Sequence, residues 1–568
     1  MADGTRPDSK EDATAERKPL TTSAPPEHIF PRLTPAQVAR VAARGRVRTV
    51  SVGELLIQAG TPAMRVFVVS SGEIEIVQPG DDERLVAVFR PGQFTGEMST
   101  LLGRPSVAHV RVSESGEVVD VPRDDILELV QTDAELSDIL LRAFILRRIE
   151  LLAQDVADVV LIGSTHSAGT LRAREFLTRN RHPYKYLDLD RDADVQELLD
   201  RFGVTTADVP VLICRGKDVL RNPANAQIAA CLGFNEPIDQ ASVRDVVIGG
   251  AGPAGLAAAV YGASEGLNVL VLESEAPGGQ AGTSSRIENY LGFPTGVSGQ
   301  ELTARAFTQA QKFGAHIQIA RPAGGLSCRR RPYAVGLEGG LEVPGRTIII
   351  ATGAAYRRLA AENGVRFDGV GVYYAASFME AQLCRGEEVV VVGGANSAGQ
   401  AAVFLSQSAK RVHLLVRSND LGGRMSRYLV RRIQESPDIV VHTRTEIVAL
   451  EGDEALARVR WRHFATDKVE SHDIRHVFVM AGAVPNTGWL DGCLALDARG
   501  FIRTGPDLSK DDLTAAGWPL PRLPYLLETT LPGVFAVGDV RAGNMKRVAS
   551  AVGEGSTAIA FVHRVLAE

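Results

Sequence analysis

Cysteine is scarce in this chain, five residues among 568, and no two are spaced as C-x-x-C. That excludes a cysteine zinc site of the usual spacing and a disulfide-built scaffold, and it makes a reducing cytoplasm the expected setting. Long apolar runs are missing too: none approaches the ~18 residues of a membrane span, and the N-terminus has no continuous apolar core of a signal peptide. Aromatic residues make up only 6%, and neither sign of charge dominates, with 62 basic residues against 68 acidic and a formal net charge of -6. No electrostatic footprint for nucleic acid or an anionic membrane results. What is present is ordinary globular composition, 45% hydrophobic and 23% charged. The length exceeds what one core supports and predicts three or four domains.

Residues 1–28 are rich in Ala, Thr, Pro, Ser and charge, a composition that predicts a disordered tail. Over 29–151, glycine punctuates short β-branched runs at 46–52, 66–69, 74–77 and 85–89. They predict a small β-roll between a helix at 35–43 and another at 124–150. Over 157–235 the order is strand 158–163, helix 171–179, strand 184–189, helix 195–202 and strand 211–214, an α/β unit with linkers near 152–157 and 235–242. Strands and helices then alternate from about 242 to the C-terminus.

A strand at 246–248 runs into Gly250-Ala251-Gly252-Pro253-Ala254-Gly255, a helix follows, and a second strand at 269–272 ends in Glu273. Gly250 permits the tight turn, Gly252 lets a pyrophosphate approach the backbone and the helix N-terminus, and Glu273 can accept from a ribose hydroxyl pair. The pattern recurs about 143 residues later as Gly393-Gly394-Ala395-Asn396-Ser397-Ala398 between strands at 389–392 and 412–416. Two such folds predict two dinucleotides. The later strand ends in Val416-Arg417-Ser418 rather than in an acid, and a cation there suits a 2′-phosphate, so NADPH is the expected second ligand. Ala395 stands where the second glycine usually does and sets one methyl against the pyrophosphate.

Five further segments carry a resemblance: Gly278-Gly279-Gln280, Glu288-Asn289-Tyr290-Leu291-Gly292-Phe293-Pro294, Ile350-Ala351-Thr352-Gly353, Gly482-Ala483-Val484-Pro485-Asn486, and Gly533-Val534-Phe535-Ala536-Val537-Gly538-Asp539. With them, residues 245–568 resemble the low-molecular-weight thioredoxin reductase family, whose FAD domain is split around an inserted NADPH domain, which implies FAD parts at 242–353 and 482–568 and an NADPH domain at 354–481. The resemblance implies that Gly279, Gln280, Asn289, Thr352, Gly353 and Gly538 border the FAD and that Asp539 contacts its ribitol or phosphate region. It implies also that Lys546, Arg547, Val548 and Ala549 cover the isoalloxazine, that Gly482 borders the NADPH, and that the chain is a homodimer.

The family's C-x-x-C is absent. The corresponding segment reads Gly371-Val372-Tyr373-Tyr374-Ala375-Ala376-Ser377-Phe378-Met379-Glu380-Ala381, so no catalytic residue carries over, and the nearby Cys384 reads as a buried apolar thiol. Residues 163–174 resemble a glutaredoxin with Ser167 and Thr170 where the paired cysteines would be, and Asp208-Val209-Pro210-Val211 resembles its cis-proline turn. Cys214 reads as strand core, with a Cys214–Cys231 pair as the alternative.

In the N-terminal part, Gly53-Glu54, Phe67-Val68-Val69-Ser70-Ser71-Gly72 and Phe94-Thr95-Gly96-Glu97-Met98 resemble the cyclic-nucleotide-binding domain. The resemblance implies a pocket around Gly96, Glu97, Arg104 and Ser106. Pro105 stands where the phosphate-pairing arginine is expected, with Arg104 displaced by one. A cyclic nucleotide is the candidate ligand, and a domain that only packs or dimerises is the alternative.

The fold class is multidomain: a β-roll, a thioredoxin/glutaredoxin-like α/β unit, and two Rossmann-like domains. The expected function is an FAD-dependent NADPH oxidoreductase that passes a hydride to flavin and on to an unidentified acceptor, with the N-terminal domain as regulator. Two alternatives stand beside it: a thioredoxin-disulfide reductase using external or relocated thiols, and a sensor of FAD and NADPH occupancy with little turnover.

Overall fold

The structure, a computed structural model, describes residues 25–80, 83–153, 159–164, 167–189, 208–214 and 218–568, apart from 377, 424, 454 and 491. Most of the expected tail, the helix at 195–202 and Ser377 lie outside the described residues. Two compact units divide the chain, Met1–Asp158 and Val159–Glu568.

The first unit is an antiparallel roll of strands β1 (Arg46–Val50), β2 (Leu55–Ile57), β3 (Arg65–Gln78), β4 (Arg84–Phe89) and β5 (His109–Pro122), ordered β1-β5-β3-β4 with β2 on β5. The runs at 66–69 and 74–77, expected as separate strands, are two halves of β3. Gly72, at φ +79, bends the strand through register shifts without ending it. Helix α1 (Pro35–Ala42) opens on a reciprocal cap between Thr34 and Gln37. The single helix expected at 124–150 is two, α2 (Arg123–Thr132) and α3 (Ala134–Ala153). Asp133 turns extended between them, and its carboxylate accepts from the Leu136 N–H at 3.0 Å, capping the second.

The second unit begins with strands β6 (Val159–Gly163), β7 (Lys185–Asp188), β8 (Val211–Cys214) and β9 (Asp218–Arg221), in the order β7-β6-β8-β9. Helices α4 (Ala168–Arg179) and α5 (Asn225–Cys231) accompany them. The Val209–Pro210 bond is cis, as the sequence implies. Cys214 is fully buried in β8, as expected of strand core, and the alternative pairing is present as well. Cys214 and Cys231 form a disulfide, and Cys328 bonds Cys493, so four of the five cysteines are paired. Partners 17 and 165 residues apart meet only through tertiary structure, which cysteine counting does not register. The count therefore carries no inference about compartment.

Next comes a sheet of β10 (Arg244–Gly249), β11 (Val269–Leu272), β12 (His316–Gln318), β13 (Gly325–Ser327), β14 (Tyr333–Gly336) and β15 (Glu342–Ile350), ordered β12-β11-β10-β15-β14-β13, with the late strand Val534–Ala536 added on β15. Helix α6 (Pro253–Ser264) follows β10. Strand β16 (Ala354–Tyr356) leaves this sheet, and a β-strand at Ala483–Pro485 returns to pair with it antiparallel. Between them lies a five-stranded parallel sheet, Val372–Tyr373, His476–Val479, Glu388–Val392, Arg411–Val416 and Ile439–Thr443 in spatial order, with a three-stranded antiparallel sheet beside it. One nucleotide-type fold is thus inserted into another, as the family resemblance implies.

The stretch at 235–242, expected as a linker, is stitched down. The Asn235 amide donates to Ile319 O at 2.8 Å and accepts from the Ile319 N–H at 2.7 Å, and Gln318 Nε2 donates to Glu236 O. Val159, Leu161, Phe176, Leu177 and Leu212 share one continuous apolar cluster with Val246, Ile248, Ala251 and Ala254. The middle unit and the first nucleotide fold therefore have a common core. Among the described residues no helix is long and apolar enough to cross a membrane, and no group of three or more His, Cys, Asp or Glu is placed to hold a metal ion.

Candidate functional site

The turn after β10 has the shape its glycines predict. Gly250 sits at φ +103, and a Cβ there would lie 2.4 Å from Ala351 O; a Cβ on Gly255 would lie 1.8 Å from Gly250 O. Both positions close the fold on itself. Gly252 differs: a Cβ there would meet nothing within 4 Å, so open space stands before the N-terminus of the twelve-residue helix α6. Free N–H groups at a helix N-terminus are suited to an anion. Gly279, at φ +52, brings its backbone against Gly252 from the other side.

Glu273, 6% exposed, fixes the turn it was expected to serve. One carboxylate oxygen accepts from the Ala251 N–H at 2.7 Å and the other from the Glu275 N–H at 2.9 Å. Burial pushes this carboxyl up, and those two N–H groups pull it back. The motifs around Thr352 and Asn486 lock together, since Thr352 Oγ1 donates to Asn486 O and Asn486 Nδ2 donates to Thr352 O, both at 2.8 Å. Glu554, which the sequence did not single out, accepts from the Gly538 N–H at 2.7 Å and pairs with Arg541, so it holds the turn carrying Asp539. Lys546 stands 3.6 Å from the Asp539 carboxylate.

These pieces line one cleft of about 1230 Å³. Of the residues expected along FAD, Gly250, Gly252, Pro253, Ala254, Glu273, Gly279, Gln280, Asn289, Thr352, Gly353, Gly538, Asp539, Lys546, Arg547 and Val548 line it, and Gly255 does not. Of those expected along NADPH, Asn396, Ser397 and Gly482 line it. Gly393, Gly394, Ala398, Arg417 and Ser418 lie outside the lining. Gly393 and Gly394 serve packing: added Cβ atoms would lie 2.6 Å from Met480 O and 2.8 Å from Val416 Cγ1. Arg417 and Ser418 are exposed beyond the strand end, and the Arg444 guanidinium donates to neighbouring Asn419, a second cation the sequence reading missed.

The opposite wall carries Tyr373, Tyr374, Ala375 and Glu380, where the family's dithiol would be expected. Helix α4 of the middle unit adds Ala168, Leu171, Arg172, Glu175 and Arg179. Ser167 is the N-cap of that helix, and a Cβ on Gly369 would lie 3.3 Å from Ala168 Cβ. None of the five cysteines, all among the described residues, lines the cleft. Cys384 is fully buried, as expected, and burial pushes its thiol up to about 12.

Residues 244–555 match the pyridine nucleotide-disulphide oxidoreductase family, and residues 47–133 match the cyclic nucleotide-binding domain. The chain belongs to the pyridine nucleotide-disulphide oxidoreductase family. Among its relatives is a thioredoxin reductase of Mycolicibacterium smegmatis, 32% identical over 58% of this chain and 98% of that protein. Another is NADPH-dependent thioredoxin reductase 3 of Arabidopsis thaliana, 30% identical over 62% of this chain and 65% of that one. The crystal structure of Lactococcus lactis thioredoxin reductase superposes with a TM-score of 0.51 at 27% identity, covering 57% of this chain and 99% of that one. This oxidoreductase is therefore thioredoxin reductase-like from about residue 244 onward. The two family matches leave 134–243 between them.

In the N-terminal unit, Gly96 and Glu97 come together with Arg104 and with two arginines the sequence reading missed. Arg147 donates to the carbonyls of Ile29, Phe94 and Gly96, its guanidinium 4.8 and 4.7 Å from the Phe89 and Phe94 ring centres. Arg148 stands 3.6 Å from the Glu97 carboxylate. Burial pushes Arg104 down to about 9, with Arg148 adding to the shift. Ser106 turns into its own loop, its hydroxyl donating to Ala108 O at 2.7 Å.

Proposed function

We propose that the reduced flavin of this enzyme passes electrons directly to an acceptor docking in the cleft, with no protein dithiol between them. The observation that carries this reading is the cysteine-free lining of the cleft, at the very wall where the family resemblance implies a C-x-x-C. When bound, FAD takes a hydride from NADPH and yields two electrons to an acceptor. The chain's own groups do the rest. The N-terminus of α6 and the open face of Gly252 hold the FAD pyrophosphate, Glu273 takes its ribose, and Asp539 with Lys546 borders its flavin half. Tyr373 and Tyr374, both with phenols pushed up by burial, stay neutral and wall the cleft against water. Anaerobic rapid mixing with NADPH tests the reading: the flavin bleaches, and a small quinone restores its colour. A flavin that NADPH leaves oxidised would refute it.

NADPH is preferred over NADH through Arg417. One charge-assisted phosphate contact is worth roughly 1.5–3 kcal/mol. Exposure keeps Arg417 near the low end, so Arg417→Ala lowers kcat/KM for NADPH about tenfold and leaves NADH turnover unchanged. Equal values for the two coenzymes in the wild type would contradict this.

Cyclic AMP or GMP binds the N-terminal unit with affinity on the order of micromolar at best. Glu97 already faces Arg148, and Arg104 is buried beside both. Pro105→Arg tightens binding by supplying the missing cation. Calorimetry reporting nanomolar affinity in the wild type would show that the arginines already present suffice. A homodimer and control of turnover from this unit complete the proposal.

A further inference from the structure

We propose that helix α4 of the middle unit is a fixed wall of the FAD site and that its last residue, Arg179, is a cofactor-retaining residue, clamping the loop 275–279 onto the pyrophosphate-binding turn. The inference rests on reading the cleft as the FAD site.

Arg179 Nη1 donates to the Glu275 carboxylate at 3.0 Å, and Nη2 donates to Gly279 O at 3.2 Å. The Arg179 side chain is 15% exposed and Glu275 59%, so solvent screens the ion pair and the bond to Gly279 O carries the larger share of the clamp. What it holds matters more than what it touches. A Cβ on Gly279 would lie 3.3 Å from Gly252 Cα, so the clamped loop leans directly on the open turn assigned to the pyrophosphate. Two more bonds fasten the same junction: Asn180 Nδ2 donates to Glu275 O at 3.3 Å, and Gln300 Nε2 donates to Thr178 O at 3.1 Å. Behind the helix, Phe176 and Leu177 belong to the apolar cluster that also contains Ala251 and Ala254. A helix sharing a core with the turn it covers is a wall and does not swing as an arm.

Charge gives the clamp a second role. Arg179 interacts with Glu175 and Glu275, and Glu380 also acts on Glu175 across the cleft. Burial pushes the Glu175 carboxyl up, and Arg179 is the first group opposing that push. Without Arg179, Glu175 and Glu275 would face the two phosphates of FAD without the guanidinium that pairs with both. Non-covalent FAD would then leave faster, both because the loop opens more readily and because the local field repels it.

The test uses the full-length protein. FAD dissociation is followed as recovery of free-flavin fluorescence on dilution, for wild type, Arg179→Ala, Arg179→Lys, Glu275→Gln and the surface control Arg305→Ala. Arg179→Ala is expected to raise the FAD dissociation constant at least tenfold. Arg179→Lys, which keeps the ion pair and loses the second bond, should recover part of it, and Glu275→Gln should move the same way by less. KM for NADPH in the FAD-saturated variants should stay at the wild-type value, which general unfolding of the site would not leave intact. Wild-type FAD retention in Arg179→Ala overturns the inference, and so does wild-type retention in both Arg179→Lys and Glu275→Gln if the alanine variant does not fold. A wild-type protein that takes up no FAD at all fails the functional reading itself, and this inference falls with it.

Discussion

Gly252→Val is expected to give a folded, colourless protein. The backbone at Gly252 is φ -68 and ψ -178, a conformation any L-residue adopts, and a Cβ there touches nothing within 4 Å. The fold has no reason to resist valine. The cofactor does, because the branched side chain would occupy the space in which a pyrophosphate must reach the helix-end N–H groups. FAD affinity should fall at least a hundredfold, about 2.7 kcal/mol or more. Neighbouring glycines sharpen the contrast: Gly255→Ala drives a methyl to 1.8 Å from Gly250 O, and Gly250→Ala meets Ala351 O at 2.4 Å, so both should unfold the domain. Flavin absorbance per chain, read beside thermal melting, separates the two outcomes. A valine variant that keeps one FAD per chain would mean that the pyrophosphate lies elsewhere.

Thioredoxin reduction is expected to be absent or at background rate while NADPH still reduces the flavin. Thiol–disulfide exchange needs a thiolate attacking sulfur, and hydroxyls such as those of Ser167 and Thr170 have neither the acidity nor the reversible chemistry. Cys384 cannot substitute. With its thiol pushed up to about 12 and no exposed surface, it should resist iodoacetamide at pH 8 in the folded protein. Cys214, fully buried, is bonded to Cys231 away from the cleft. Replacing Cys214, Cys231 and Cys384 together by serine should leave quinone turnover at the wild-type rate. Thioredoxin reduction at ordinary enzymic rates that disappears in this triple variant would reinstate a relay through relocated sulfur.

The first nucleotide turn was legible in the sequence nearly to the residue, because its determinants are local. A β-branched run, glycines at fixed offsets and a terminal acid each act within a few positions of one another, and the strand at 269–272 has the bounds the pattern predicts. The second nucleotide fold was legible through the recurrence of the same pattern, and its insertion into the first only through the family resemblance. Everything that depends on distant partners was not. The break at Asp133 hides inside a continuous helical composition, and Arg147 reads as one more charged residue until Phe89 and Phe94 fold against it. Arg179 likewise looks like an ordinary basic residue near a helix end. Its partners, Glu275 and Gly279, lie about a hundred residues onward, beyond the reach of any periodicity.

The Cys328–Cys493 bond spans 165 residues, and the whole inserted fold between Ala354–Tyr356 and Ala483–Pro485 lies inside that span. Topologically the insertion is therefore the content of a covalent ring whose clasp sits on the host fold. In the chain-entropy picture, a ring of this length removes about 5 kcal/mol of freedom from the unfolded ensemble. The saving grows only with the logarithm of the ring's circumference. A host fastened in this way is nearly indifferent to how large its guest becomes, so the guest can lengthen or shorten its loops while the two edges of the host stay in register.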